Sequence, residues 1–342
     1  MSKTLDLTPA STATDPAKPR GPQMKVASYT AYGGPETIAF TERPIPTPAA
    51  DEVLIRVRAA PVTAGDARMR SGKVPRGLGL LMRLAIGLRR PRVAPGWAFS
   101  GEVAAVGSGV ASFTKGQRVF GLTGFKGGAH REYLVIKATG TVLPLPDTLT
   151  FEQGAAFFFG GLTAADFLID RAKLAAGERL LVAGATGAVG GAVVQIARHL
   201  GAHVAATASP ANNPLARQLG AVEVTDYRKG LPSGPFDVIV DVMGSLGWAG
   251  ASAHLAPGGR LALITADLAQ MLGAAVLPRP GKRKVLTGTN KDDLPSMRRL
   301  LALHQAGGYT PVLGPILPFA DLQKAHAIAE SFHKPGNLVV VM

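Results

Sequence analysis

The chain has no cysteine, few aromatic residues (6%) and fewer acids than bases. Without cysteine, disulfides and thiolate metal sites are impossible, and a cytoplasmic location is permitted. Scarce aromatics leave few platforms on which bases could stack, and no DNA- or RNA-binding motif stands in the chain. Nucleic acid is therefore not expected as a partner, although 37 Lys and Arg against 23 Asp and Glu give a formal charge of +14. That excess suits an enzyme with an anionic cofactor. No apolar run approaches the roughly 20 residues a membrane-spanning helix needs. The first 22 residues, "MSKTLDLTPASTATDPAKPRGP", lack the apolar core of a signal peptide and read as a disordered tail.

What the chain has in plenty is glycine (42) and proline (26), spread over 342 residues. From residue 23 to about 145, short runs such as "KVASYTAYG", "DEVLIRVRAAPV" and "SGEVAAVGSGV" alternate between turns, which indicates a β-rich unit. "TFEQGAAFFFGGLTAADFLID" then shows helical periodicity, broken by the pair Gly160-Gly161. From there strands and helices alternate through "HVAATA", "NPLARQLGA", "VEVTDY", "FDVIVDVMG" and "RLALIT", the rhythm of a parallel sheet with crossover helices. The closing strand "NLVVVM" is expected to return to the first unit.

The stretch "LLVAGATGAVGGAVVQIARHLG" carries the strongest functional signal. Gly184, Gly187 and Gly190 are spaced by three between a strand and a helix. Such a turn lets backbone approach a pyrophosphate, whose charge sits at the helix N-terminus. A second strand ends about 20 residues later, where dinucleotide folds read the ribose. Ser209 stands there. An acid would repel a 2′-phosphate, whereas serine can donate a hydrogen bond to one. Tyr227 and Arg228 end the next strand, either beside that phosphate or simply as its last residues.

Together with "AAPVTAGDARMRSG", "PGWAFSGEVAAVGSGV", "AHREYLVI", "GLTAADFL" and "HKPGNLVVVM", these residues resemble the zinc-independent, quinone-oxidoreductase-like branch of the medium-chain dehydrogenases/reductases, over about residues 24–342. The resemblance implies an α/β protein. A GroES-like β-rich catalytic domain (23–145, completed by 288–342) joins a Rossmann domain with a doubly wound parallel sheet (146–287). It also implies NADPH, with NADH as the alternative, and a homodimer. The cofactor residues it implies are Thr163, Gly184, Ala185, Thr186, Gly187, Ala188, Val189, Gly190, Ser209, Asn212, Tyr227, Arg228, Val242, Gly244 and Asn337. Three positions depart from the family. Thr63 replaces a common Asn, Ala98 a frequent acid, and Ala211 a basic residue often found in NADP users, so that Asn212 is left to contact the adenosine end.

The chain lacks both the cysteine and the Gly-His-Glu motif of the zinc enzymes, and its scattered histidines read as partly exposed surface residues. No metal is assigned. Reactive acceptors then fit best, because hydride addition to a quinone or an α,β-unsaturated carbonyl gives a delocalised anion that asks little of a general acid. Thr63 and Asp66 are the candidate polar groups on the substrate side, or equally a helix cap. Trp97 is a candidate wall for a flat acceptor. Residues 68–93 hold eight bases and no acid around "LGLLMRLAIGL". They read as a lid over the cleft with arginines outside, in preference to a membrane-surface helix. An enoyl-thioester reductase and a non-catalytic NADPH-binding regulator are the alternatives.

Overall fold

Short β-branched runs separated by glycine turns assemble into two large sheets and one hairpin in the computed structural model, which describes residues 21–276, 279–331 and 334–342. Nearly all of the expected tail, and His333, lie outside the described residues. Six parallel strands form one sheet, in the order Glu223–Asp226, His203–Ala208, Arg179–Ala183, Phe236–Asp241, Leu255–Leu263, Lys284–Leu286. Their runs are apolar at successive positions because both faces are covered. Leu180 and Val182 enter the core beneath the Ala188–His199 helix, while Leu181 and Ile239 face the opposite layer with Trp248 and Met271. The strand that ends in the glycine turn lies mid-sheet. The chain moves to one side of it for the next two strands and to the other side for the rest. Ligands bind outside the strand ends at such a switch of direction.

The second large sheet has seven strands and draws on two distant stretches of the chain, residues 52–144 and 313–341. Glu52–Val62 pairs antiparallel with Ala98–Val106 on one side and with Asn337–Val341 on the other, with Leu338 opposite Val62. The closing strand therefore does return to the first unit. Val53, Ile55, Phe99, Leu338 and Val340 fill the core of this sheet.

Three local expectations are corrected. The helix Phe151–Ala165 runs through Gly160-Gly161 without a break. A Cβ on Gly160 would strike the Ala188 carbonyl, and one on Gly161 would meet Leu300 and Tyr309, so these glycines serve helix packing. The leucines of the 68–93 segment face outward: around the helix Gly79–Ile86, Leu80, Leu81, Leu84 and Leu88 are 68, 55, 63 and 60% exposed. The segment does cross from one sheet system to the other, since Arg68 reaches Thr265 Oγ1 and Leu268 N–H donates to the Arg76 carbonyl. Its apolar face, however, is not turned inward.

The third correction concerns histidine. His326 is fully buried, with its ring edge-on to Tyr29 and to the buried His130. Arg70 Nε donates to its Nδ1 at 3.4 Å. Burial, then the neighbouring His130 and Arg70, push its pKa down to about 2. Burial also lowers His130, against Asp66 and the Pro61 carbonyl. The His326 ring therefore stays neutral in the fold through mildly acidic pH, while an unfolded chain takes up its proton near pH 6.5. Stability contributed by the neutral His326 is thus present above about pH 6.5 and is lost as pH falls, by up to about 1.4 kcal/mol per unit, and His130 acts in the same direction. The urea midpoint should drop steeply between about pH 7 and pH 5 and less steeply in His326→Asn. A midpoint independent of pH over that range would contradict this account.

Candidate cofactor and substrate cleft

At the end of the Arg179–Ala183 strand the three glycines have three different tasks. Gly184 has φ +90°, a conformation that disfavours a side chain. A Cβ on Gly190 would strike the Gly184 carbonyl, so Gly190 lets helix and turn touch. Gly187 has an ordinary φ of −79°, and a Cβ there would meet nothing within 4 Å. Its place opens on empty space beside a 12-residue helix whose first turn no side chain caps. Uncapped N–H groups next to open space fit an anionic group such as a pyrophosphate. Ala185, Thr186, Ala188 and Val189 complete this turn; all but Ala188 are buried.

A closing segment leans on the turn. Gly336 N–H donates to the Thr186 carbonyl at 2.8 Å, and Gly336 bridges Gly187. Asn337 is buried, with its amide held by the Val312 carbonyl at 3.0 Å. Lys334, which sequence reasoning missed, donates to the Gly336 carbonyl at 3.0 Å, and burial lowers its pKa to about 8. Its only sequence signal is its place two residues before the Gly336-Asn337 pair.

Ala208 and Asp226 are paired across adjacent strands, so Ser209 and Tyr227 follow neighbouring strand ends. Ser209 is half-buried and its side chain caps nothing; Asn212 follows it at the start of the Asn213–Leu219 helix. Tyr227 is exposed. Arg228 is engaged locally, with Nη2 2.9 Å from Asp226 Oδ2, and this hydrogen bond holds the Asp226 carboxyl below its usual range.

The opposite wall follows the Phe236–Asp241 strand. Asp241 is fully buried, and its carboxylate accepts from the N–H groups of Gly244, Ser245, Leu246 and Gly247. This acid, unnoticed in the sequence, shapes the loop that carries Val242 and Gly244. Val242 N–H donates to the Ala183 carbonyl, which sets the loop against the glycine turn. Thr163 is buried on the long helix, with its hydroxyl near the Phe159 carbonyl and Asn290 Oδ1.

On the substrate side, Thr63 and Asp66 form a reciprocal cap of the Ala64–Ser71 helix. Asp66 Oδ2 accepts from the Thr63 N–H and hydroxyl at 2.9 and 2.6 Å, and its Oδ1 accepts from the Gly96 N–H at 3.0 Å. Asp66 thereby ties the cap to the residue before Trp97, but its buried carboxylate is sealed, with both oxygens already accepting hydrogen bonds. Trp97 lies edge-on to Phe125, with ring centroids 6.0 Å apart. Its indole nitrogen is buried with no partner among the described residues. Among those residues no group of three or more His, Asp or Glu is placed to hold a metal ion.

Residues 49–147 match the family described as alcohol dehydrogenase GroES-like domain, and residues 219–340 that described as zinc-binding dehydrogenase. A quinone oxidoreductase of Sus scrofa is 31% identical, over 91% of this chain and 95% of that one. The chloroplastic NADPH-dependent alkenal/one oxidoreductase of Arabidopsis thaliana is also 31% identical, over 93% of this chain and 79% of the other. Among solved structures, the quinone oxidoreductase from Coxiella burnetii superposes with a TM-score of 0.81 at 24% identity, covering 94% of this chain and all of that one.

Proposed function

The chain belongs to the quinone-oxidoreductase-like branch of the medium-chain dehydrogenases/reductases, and on that premise we propose that it is an NADPH-dependent reductase of quinones or activated α,β-unsaturated carbonyls that works without metal. The observation that carries the cofactor half is the uncapped helix start beside open space at Gly187. The activities named for the pig and Arabidopsis relatives support the acceptor class. We assign the work to two units, 23–145 with 288–342 and 146–287, and expect the chain to act as a homodimer.

The bound nicotinamide nucleotide supplies the hydride. Backbone of the glycine turn holds the pyrophosphate, the loop shaped by Asp241 walls the nicotinamide side, and Ser209 with Tyr227 lines the adenosine ribose. Trp97, with Phe125 edge-on beside it, offers an apolar wall to the acceptor. The proton that completes the reduction comes from solvent, because the one acid of residues 63–70, Asp66, is sealed by its own hydrogen bonds. Acceptors whose reduced anion is delocalised tolerate that arrangement.

Steady NADPH consumption with a panel of quinones and enones tests the reading. Tight binding without turnover would select the regulatory alternative, and strict dependence on acyl-CoA substrates the enoyl-thioester one. Cofactor choice is tested at Ser209. Ser209→Asp should weaken NADPH by roughly ten- to a hundredfold and NADH far less, because a carboxylate repels the 2′-phosphate but accepts from ribose hydroxyls. Arg228→Ala should weaken NADPH less than Ser209→Asp does, since Asp226 already engages that guanidinium. Equal losses for both nucleotides in Ser209→Asp would show that the site does not read the phosphate.

A further inference from the structure

The outward leucines of the 68–93 segment lie among positive charge. Leu80, Leu81, Leu84 and Leu88 are each more than half exposed. Arg83, Arg89, Arg90 and Arg92 interrupt or follow them and are exposed as well. The segment contributes eight bases and no acid. Its helix is firmly seated: Ile86 is buried, the Tyr32 hydroxyl donates to the Gly87 carbonyl at 2.6 Å, and the Arg83 guanidinium lies 5.0 Å from the Tyr32 ring. The leucines are therefore held outward.

The surface continues toward Trp97. Ala94 N–H donates to the Lys126 carbonyl at 2.9 Å, which brings the end of the segment beside exposed Phe125 and Lys126. Phe125 in turn packs edge-on against Trp97.

We propose that this face docks on an anionic lipid bilayer, with the leucines in the acyl boundary and the arginines at the headgroups. Leucine among guanidinium groups suits that environment, where apolar burial and attraction to anionic headgroups act together. A second copy of the chain is disfavoured by the same residues, because a twofold contact would set like-charged arginines against each other. Nucleic acid would call for stacking aromatics, and the patch presents aliphatic side chains instead. That an apolar acceptor reaches Trp97 from the bilayer rests on the function proposed above; the docking itself does not.

Co-sedimentation of the full chain with vesicles tests the proposal. It should bind phosphatidylglycerol-containing vesicles and not pure phosphatidylcholine ones, with affinity falling as salt rises. Leu80→Ser/Leu84→Ser and Arg89→Glu/Arg90→Glu should each lose roughly tenfold or more in vesicle affinity while NADPH titration stays unchanged. No binding by the wild type, or binding indifferent to both variants, would overturn the proposal. So would dissociation of an oligomer by Leu80→Ser/Leu84→Ser without vesicles, which would make the face a contact between copies. Vesicle binding with no turnover of any quinone or enone would instead sink the catalytic reading alone.

Discussion

Gly187→Val should raise the Kd for NADPH by about a hundredfold or more and leave thermal stability near that of the wild type. The position makes the two outcomes separable. A Cβ at Gly187 meets nothing within 4 Å, and its φ of −79° is open to any residue, so the folded chain accommodates valine. The side chain then occupies the space through which a pyrophosphate reaches the helix N-terminus. Gly190→Val provides the contrast. Its Cβ would strike the Gly184 carbonyl, so this variant should lose stability before cofactor binding can be compared. Unchanged NADPH titration of folded Gly187→Val would remove the basis of the cofactor assignment.

Arg70→Met should cost about 3 kcal/mol of stability, read from the urea midpoint. Arg70 is fully buried, and its guanidinium serves the Gly33 carbonyl, Glu330 Oε2 at 2.6 Å and His326 Nδ1. Methionine fills similar volume but leaves the Gly33 carbonyl and His326 Nδ1 without their donor, and Glu330 with Lys73 as its remaining partner at 3.2 Å. The contact joins the Ala64–Ser71 helix to the Leu322–Ser331 helix, so the loss falls on the packing between distant segments. Adding Glu330→Gln should change the loss little, because Lys73 and solvent already serve that carboxylate and the buried carbonyl and imidazole carry the cost. A loss below about 1 kcal/mol in the single variant would show that the network contributes little.

Sequence pattern reached some of these features and not others, for reasons that can be located. The glycine turn was legible because strand, glycines and helix are contiguous, and the closing strand because "NLVVVM" is short and apolar. Gly160-Gly161 misled because glycine marks both a helix breaker and a close approach. The Ala188 carbonyl that decides between them lies far along the chain. The leucines of Gly79–Ile86 formed a plain apolar pattern, but periodicity does not say whether a partner covers it. His326 lies in a helix of mixed polarity, and its burial depends on His130 and Arg70, both distant in sequence. Thr63 and Asp66 stand four positions from start to end of a capping pattern, so both readings were present from the outset; the hydrogen bonds describe the cap.

The pairing of Asn337–Val341 with Glu52–Val62, and the hydrogen bond from Gly336 to the Thr186 carbonyl, also order events during synthesis. The parallel sheet has all of its strands once Leu286 has emerged, but the sheet begun at Glu52 lacks an internal neighbour until residues 313–341 are made. Tyr133–Lys137 already covers Glu52–Arg56 on that side, but until then the edge of Ala59–Val62 is open, and such edges recruit other chains. Nascent chains stalled between residues 290 and 310 should therefore be the ones that chaperones hold and that aggregate when released.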